Sequence, residues 1–87
     1  MTDRDTIRQA LQCIPANLPR DEWARVAMAL KSELSDETGF ALFDEWSRGA
    51  DNYKAGAARD TWRSVKAGGG VTIATLMHLA RQHGFKG

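Results

Sequence analysis

The stretch from Trp46 to Gly84 decides the fold of this chain and reads WSRGADNYKAGAARDTWRSVKAGGGVTIATLMHLARQHG. It contains two of the three tryptophans, the only tyrosine, a glycine triplet and both histidines. Large aromatic side chains are usually buried, glycines often mark turns, and the charged residues between them are expected at the surface. The same residues therefore carry the first evidence about fold and about function.

A helix with two stripes is predicted at the centre of this stretch, over Ala55–Lys66. The apolar stripe follows the spacing i, i+4, i+7 and consists of Ala58, Trp62 and Val65. The basic stripe follows the same spacing and consists of Arg59, Arg63 and Lys66. The apolar stripe explains how the helix docks, and the basic stripe is left for a partner.

The composition around this helix is that of one small globular domain, residues 1–87, because 43% of the residues are hydrophobic and 26% are charged. The single cysteine, Cys13, excludes an internal disulfide and is expected to be a small buried residue. The net charge is only +1, but residues 1–47 carry a balance of −4 and residues 48–87 one of +5. This asymmetry predicts an acidic and a basic surface.

Apolar residues at helical spacing predict an all-α fold, a compact bundle of four to five short helices around a Trp/Phe/Leu core. Strand-like alternation is absent from the sequence. Thr2 or Asp3 is a candidate N-cap for the first helix. In the core, Trp23, Trp46 and Trp62 are expected to be buried together. Besides Ala55–Lys66, the predicted helices cover Asp3–Cys13, Arg20–Leu34, Gly39–Ser47 and a segment that follows Thr72.

The glycine triplet Gly68–Gly70 is predicted to end the two-stripe helix with a left-handed C-cap. The last helix is predicted to begin at an N-cap, Thr72, with Val71 and Leu76 as a hydrophobic staple, and to end at Gly84. A phosphate loop is not indicated, because the triplet lacks the lysine and the spacing of that motif. One phosphate held by the helix N-terminus remains an alternative to a purely structural turn.

Spaced aromatic residues and one turn resemble the primase C-terminal domain family of the second type. The resemblance runs from about Ile7 to Phe85. It implies a small helical accessory module of primases from phages, plasmids or mobile elements, and an excised domain or truncated copy. It supplies no defined set of functional residues. The residues that carry it are Trp23, Ala29, Leu30, Phe43, Trp46, Ser47, Tyr53, Trp62, Gly69, Gly70, Thr72, Ile73, Leu76, Ala80 and Gly84.

No catalytic or metal-binding pattern is visible in the sequence. Asp44 and Glu45 are adjacent, so they lie about 100° apart on a helix and do not aim at one metal ion. His78 and His83 are five residues apart and lie on different parts of the last helix. We therefore expect no enzyme activity, no cofactor and no metal in the isolated domain.

The strongest functional signal is a basic group within nineteen residues, Arg48, Lys54, Arg59, Arg63 and Lys66. It predicts contact with nucleic acid, single-stranded template or primer-template, or with an incoming nucleotide, through phosphates rather than bases. The alternative is a solvated helix face. Tyr53 is a candidate for stacking on a base, although packing on the core is the alternative for it and for the tryptophans.

A second function stays open: a protein-interaction module that docks a primase-polymerase domain onto a helicase or another replication partner. The acidic first half would then form the docking face, through Asp21, Glu22, Asp44 and Glu45. A purely structural spacer is a third alternative. A cytoplasmic protein is expected, since no long apolar run or secretory start is present. The chain is also expected to be a monomer.

Overall fold

Five helices form the whole regular structure of the described residues, 4–66 and 70–86, in the computed structural model. This arrangement confirms the all-α prediction. The expected first cap at Thr2 or Asp3, and the turn at Gly68 and Gly69, lie outside the described residues. The helices are α1 (Arg4–Cys13), α2 (Arg20–Glu33), α3 (Glu37–Ser47), α4 (Ala55–Ser64) and α5 (Ile73–Gln82).

The central helix is α2, which packs against α3, α4 and α5. α1 closes the bundle by packing on α5 and α3. Four small or branched residues of α2 are almost fully buried, which lets three other helices approach it closely. They are Val26, Ala27, Ala29 and Leu30.

The aromatic core has its centre at Phe43, which is fully buried. The ring centroid of Phe43 lies 5.0 Å from that of Trp23, 6.2 Å from Trp46 and 6.0 Å from Trp62. The expected cluster of three tryptophans therefore forms around a phenylalanine. Trp46 and Trp62 are buried as predicted, whereas Trp23 is only half-buried and keeps part of its ring in solvent.

α3 begins at Glu37, two residues before the predicted start at Gly39. Asp36 is its N-cap, and its carboxylate accepts a hydrogen bond of 3.0 Å from the backbone N–H of Thr38. Gly39 thus lies inside the helix, in a close approach rather than in a turn. A Cβ there would overlap the backbone oxygen of Leu34 and lie 2.9 Å from the ring of Trp62.

α4 ends at Ser64, two residues before the predicted end at Lys66. The reason is a contact from α2, since the Nζ of Lys31 donates to the carbonyls of Trp62 (2.6 Å) and Val65 (3.0 Å). An ammonium group beside the last carbonyls satisfies them and favours the helix end. Val65 is the extended C-cap of this helix, so the prediction that the helix continues to the glycines was wrong; Gly70 has φ of +90°.

α5 follows the prediction at both ends. Thr72 is its N-cap, and its hydroxyl accepts from the N–H of Ala74 at 3.2 Å. Thr75 completes a capping box by accepting from the N–H of Thr72. At the other end Gly84 has φ of +97°, and Phe85 is buried against the last turn.

Candidate nucleic-acid interface

The five cations of the predicted basic group fall into two sets. Arg48 and Arg59 are held by carboxylates through ion pairs of 2.9 Å each. In the part of the chain that the structure describes, Lys54, Arg63 and Lys66 are exposed and form no ion pair or side-chain hydrogen bond. Only the second set is available to a partner without breaking an existing contact.

Arg48 belongs to a compact polar group around Asp44, at the C-terminal end of α3. Arg48 donates through Nε (3.2 Å) and Nη2 (2.9 Å) to one carboxylate oxygen of Asp44. The hydroxyl of Tyr53 donates to the other oxygen at 2.5 Å. The hydrogen bond to Asp44, followed by burial, raises the pKa of Tyr53, and the hydrogen bond to Asp44 also raises the pKa of Arg48.

Arg59 lies against the protein instead of pointing into solvent. Its guanidinium carbon lies 3.7 Å from the ring centroid of Phe40, and its Nη1 donates to Glu37 at 2.9 Å. Arg59, which the basic stripe predicted to be exposed, is therefore only partly exposed, because an aromatic face and a carboxylate on α3 are within its reach. We call Asp44, Arg48 and Tyr53, together with Glu37, Phe40 and Arg59, the paired corner.

Arg63 and Lys66 are exposed as predicted, at and just after the C-terminal end of α4, while Trp62, which precedes Arg63, is 5% exposed. Lys66 lies beyond the helix end, so it no longer belongs to the helical stripe of Arg59 and Arg63. We call Arg63 and Lys66 the basic end of α4. Two neighbouring cations without carboxylate partners attract phosphates, whose charge they can neutralise.

A cleft of about 360 Å³ opens at the other end of α4. Its lining includes two half-buried rings, those of Trp23 and Tyr53, and two exposed cations, Arg20 and Lys54. We call this space the aromatic cleft. The sequence offered Tyr53 and Lys54 as candidates for it but gave no sign that Arg20 and Trp23, thirty residues earlier, would share their surface.

The acidic residues considered for protein docking are not equivalent either. Asp44 is held by Arg48 and Tyr53, and Glu45 lies 3.5 Å from Arg8. Asp21 and Glu22 are exposed in the first turn of α2, and in residues 4–66 and 70–86 neither makes an ion pair. Carboxylates in a first helical turn are also stabilised by the helix dipole.

Two further observations concern the described residues alone. Within them no group of three or more His, Cys, Asp or Glu side chains is close enough to hold a metal ion. Among them, too, no helix combines the length and the apolar character that crossing a bilayer requires.

These features define the class of the protein as a small five-helix module with an aromatic core and a divided basic surface. The model of the family described as Primase C terminal 2 matches residues 7–80, which is most of the chain. The chain belongs to this family, as the spaced aromatics and the turn suggested, and is thus a primase-associated C-terminal domain. Comparison with curated proteins and with solved structures gave no match.

Proposed function

We propose that residues 1–87 form a single non-catalytic accessory module of a DNA replication primase, which helps to hold the template or primer strand. The contact is made through phosphates by the basic end of α4, Arg63 and Lys66, with a contribution from Lys54. Family membership supports the setting in replication. The observation that carries the proposal is the division of the basic group into paired and free cations.

Cations that have no ion-pair partner are the ones available to bind a phosphate. A cation already paired with a carboxylate must give up that contact before it neutralises a phosphate, whereas a solvated one only releases counterions. Arg63 and Lys66 are close in sequence, exposed and free, and the rigid core under Trp62 fixes where they emerge. Two or three phosphate contacts give weak binding, with a Kd of about 1 µM to 100 µM at physiological salt, and no base preference.

The test is a titration of single-stranded and primer-template DNA at several salt concentrations. We expect Arg63→Ala/Lys66→Ala to bind more weakly and to make the salt dependence shallower by about 1.4 units, or about 0.7 for each single-strand phosphate contact. The matched control is Arg8→Ala/Arg48→Ala, which removes two cations that are already paired. Helicity is checked by circular dichroism.

Three results would contradict the proposal. They are no binding by the natural chain at low salt, equal binding by Arg63→Ala/Lys66→Ala, and an equal loss in the control variant. Nucleotide incorporation by the purified chain would contradict its non-catalytic part.

The alternative, docking onto a helicase or primase-polymerase domain, has narrower support. Of the four acidic residues considered, only Asp21 and Glu22 are exposed and free of ion pairs in the described chain. Asp21→Asn/Glu22→Gln tests it in a pull-down with those domains. Loss of capture by this variant, with unchanged DNA binding, would favour docking as the function.

A further inference from the structure

The aromatic cleft differs from two other clefts of the described structure in what lines it. One of those, about 280 Å³, has Trp46 in its wall, but its cation Arg8 lies against Glu45. The other, about 210 Å³ between α2 and α5, contains no tryptophan, tyrosine or phenylalanine. Only the aromatic cleft among the three combines ring faces with cations that have no carboxylate partner in the described chain.

Both rings of this cleft are held in place before any ligand arrives. Trp23 packs on Phe43 at 5.0 Å, and its Nε1 donates to the buried hydroxyl of Ser47 at 2.9 Å. Tyr53 is fixed by its hydrogen bond to Asp44. Because the polar group of each ring is already satisfied, what the rings offer a ligand is their flat apolar face. Fixed faces lose little conformational entropy on binding.

Size and charge narrow the class of ligand. Sites for small molecules begin at about 300 Å³, so about 360 Å³ suits one flat ring with its sugar and not a folded partner. Arg20 and Lys54 are exposed at the same cleft and form no ion pair within residues 4–66 and 70–86. A flat ring that carries an anion is the chemistry that fits, and a nucleotide has this chemistry.

We propose that the aromatic cleft binds one nucleotide, with the base stacked on Trp23 or Tyr53 and the phosphate held by Arg20 or Lys54. This deepens the proposed function, on which it rests for its setting in nucleic-acid metabolism. A free nucleotide and a link in a single strand share this chemistry. Stacking tolerates every base, so the site discriminates little among bases.

The geometry also places the cleft relative to the basic end of α4. Lys54 precedes α4, whereas Arg63 and Lys66 lie at its far end. The ten residues of α4 extend about 15 Å, or about four nucleotides at the axial rise of about 3.4 Å per nucleotide in a B-form strand. A single strand of more than about four nucleotides is long enough to cover this distance, so we expect it to place one base in the cleft and phosphates at the basic end.

The experiment uses tryptophan fluorescence, because Trp23 is the tryptophan with the greatest exposure. The natural chain is titrated with thymidine triphosphate and, separately, with an oligothymidylate of about eight nucleotides, long enough to span both sites. We expect quenching in at least one titration, and Trp23→Phe removes most of it. We expect Tyr53→Leu or Lys54→Ala to weaken binding, the ring loss by about 5- to 150-fold, whereas Tyr53→Phe keeps the ring and most of the affinity.

The outcomes separate this inference from the proposed function. Weaker binding by the cleft variants supports a nucleotide site in the aromatic cleft, even if Arg63→Ala/Lys66→Ala binds as the natural chain does. Quenching by the triphosphate alone identifies a free nucleotide as the ligand, and quenching by the oligonucleotide identifies a strand. The inference is overturned if neither probe quenches at low salt, or if Tyr53→Leu and Lys54→Ala both bind as the natural chain does while remaining helical.

Discussion

The paired corner and the basic end of α4 contain the same number of predicted binding cations, two each, and differ in their surroundings. In the corner, Arg48 meets Asp44 and Arg59 meets Glu37. At the basic end, Arg63 and Lys66 have no carboxylate partner in the described chain. Residues that look alike along the sequence thus differ in what they can bind, and the difference lies in the acidic residues that folding brings within reach.

The largest effect is expected from removing the side chain that lies under both regions. Trp62 packs against Phe40 and Phe43 beside the corner, and its carbonyl accepts from Lys31 at the basic end. We expect Trp62→Ala to lower the free energy of unfolding by about 3–5 kcal/mol, a large part of the stability of a domain this small.

Urea unfolding followed by circular dichroism measures this loss. The control is Arg63→Ala, at the exposed residue next to Trp62, and its expected change in the free energy of unfolding is within about 0.5 kcal/mol. A loss below about 1 kcal/mol for Trp62→Ala would contradict the central place of this ring in the core.

The second effect concerns the basic end alone. Lys31→Met keeps the aliphatic stem but removes the two hydrogen bonds to the carbonyls of Trp62 and Val65. We expect a loss of about 1–3 kcal/mol in the free energy of unfolding, because charged hydrogen bonds are stronger than neutral ones and the carbonyls lose their partner. Lys66→Met makes the same chemical change at an exposed site and is expected to cost almost nothing. Equal losses in the two variants would refute the capping role of Lys31.

The third effect concerns the corner alone and is read from proton binding. The raised pKa of Tyr53 means that the folded state keeps the phenol proton to higher pH than the unfolded state does. The resulting stabilisation is complete below the ordinary pKa of 10.0 and is lost as pH rises through the pKa of the folded state.

Asp44→Asn removes the charge that keeps Tyr53 protonated, so we expect the pKa of Tyr53 to fall toward 10.0. Tyr53 is the only tyrosine, so tyrosinate absorbance reports it without interference. Glu45→Gln, next in sequence, is the control and should leave the titration unchanged. An unchanged midpoint in Asp44→Asn would show that the contact with Asp44 does not persist in solution.

The smallest effect is expected from a variant that frees a cation of the paired corner, so that it resembles the cations at the basic end of α4. Glu37→Gln releases Arg59 from its ion pair, and we expect single-strand affinity to rise by less than about tenfold and the salt dependence to steepen by up to about 0.7 units. Glu33→Gln removes the same charge from an exposed residue without an ion pair in the described chain. Titrations of both variants at several salt concentrations give the comparison. Equal steepening in the two would mean that net charge, and not the release of Arg59, determines binding.

Local sequence signals predicted all five helices but misplaced the start of α3 and the end of α4. Apolar spacing placed all five, and the caps of α5 were visible in Thr72 and Gly84 because such signals act within a few residues. The end of α4 depends on Lys31, more than thirty residues away, and no local pattern reveals that contact. Gly39 was predicted to begin α3, whereas it lies inside the helix and permits a close approach.

The residues of the candidate site also divide into features that the sequence predicted and features that it did not. Exposure of Arg63 followed from the angle between the two stripes of one helix, whereas Lys66 is exposed beyond the end of that helix. The pairing of Arg59 with Glu37 and the meeting of Trp23 with Tyr53 depend on how α2, α3 and α4 pack together. Periodicity gives the face on which a side chain lies, but it does not give the neighbour across from that face.

The close approach at Gly39 has a consequence for cooperativity. The absent side chain leaves room for the backbone oxygen of Leu34 and the ring of Trp62 at the same point, so the turn after α2 and the docking of α4 meet on one residue of α3. Because the end of α2 and a ring of α4 both approach α3 at this residue, we expect the three helices to unfold together rather than one at a time.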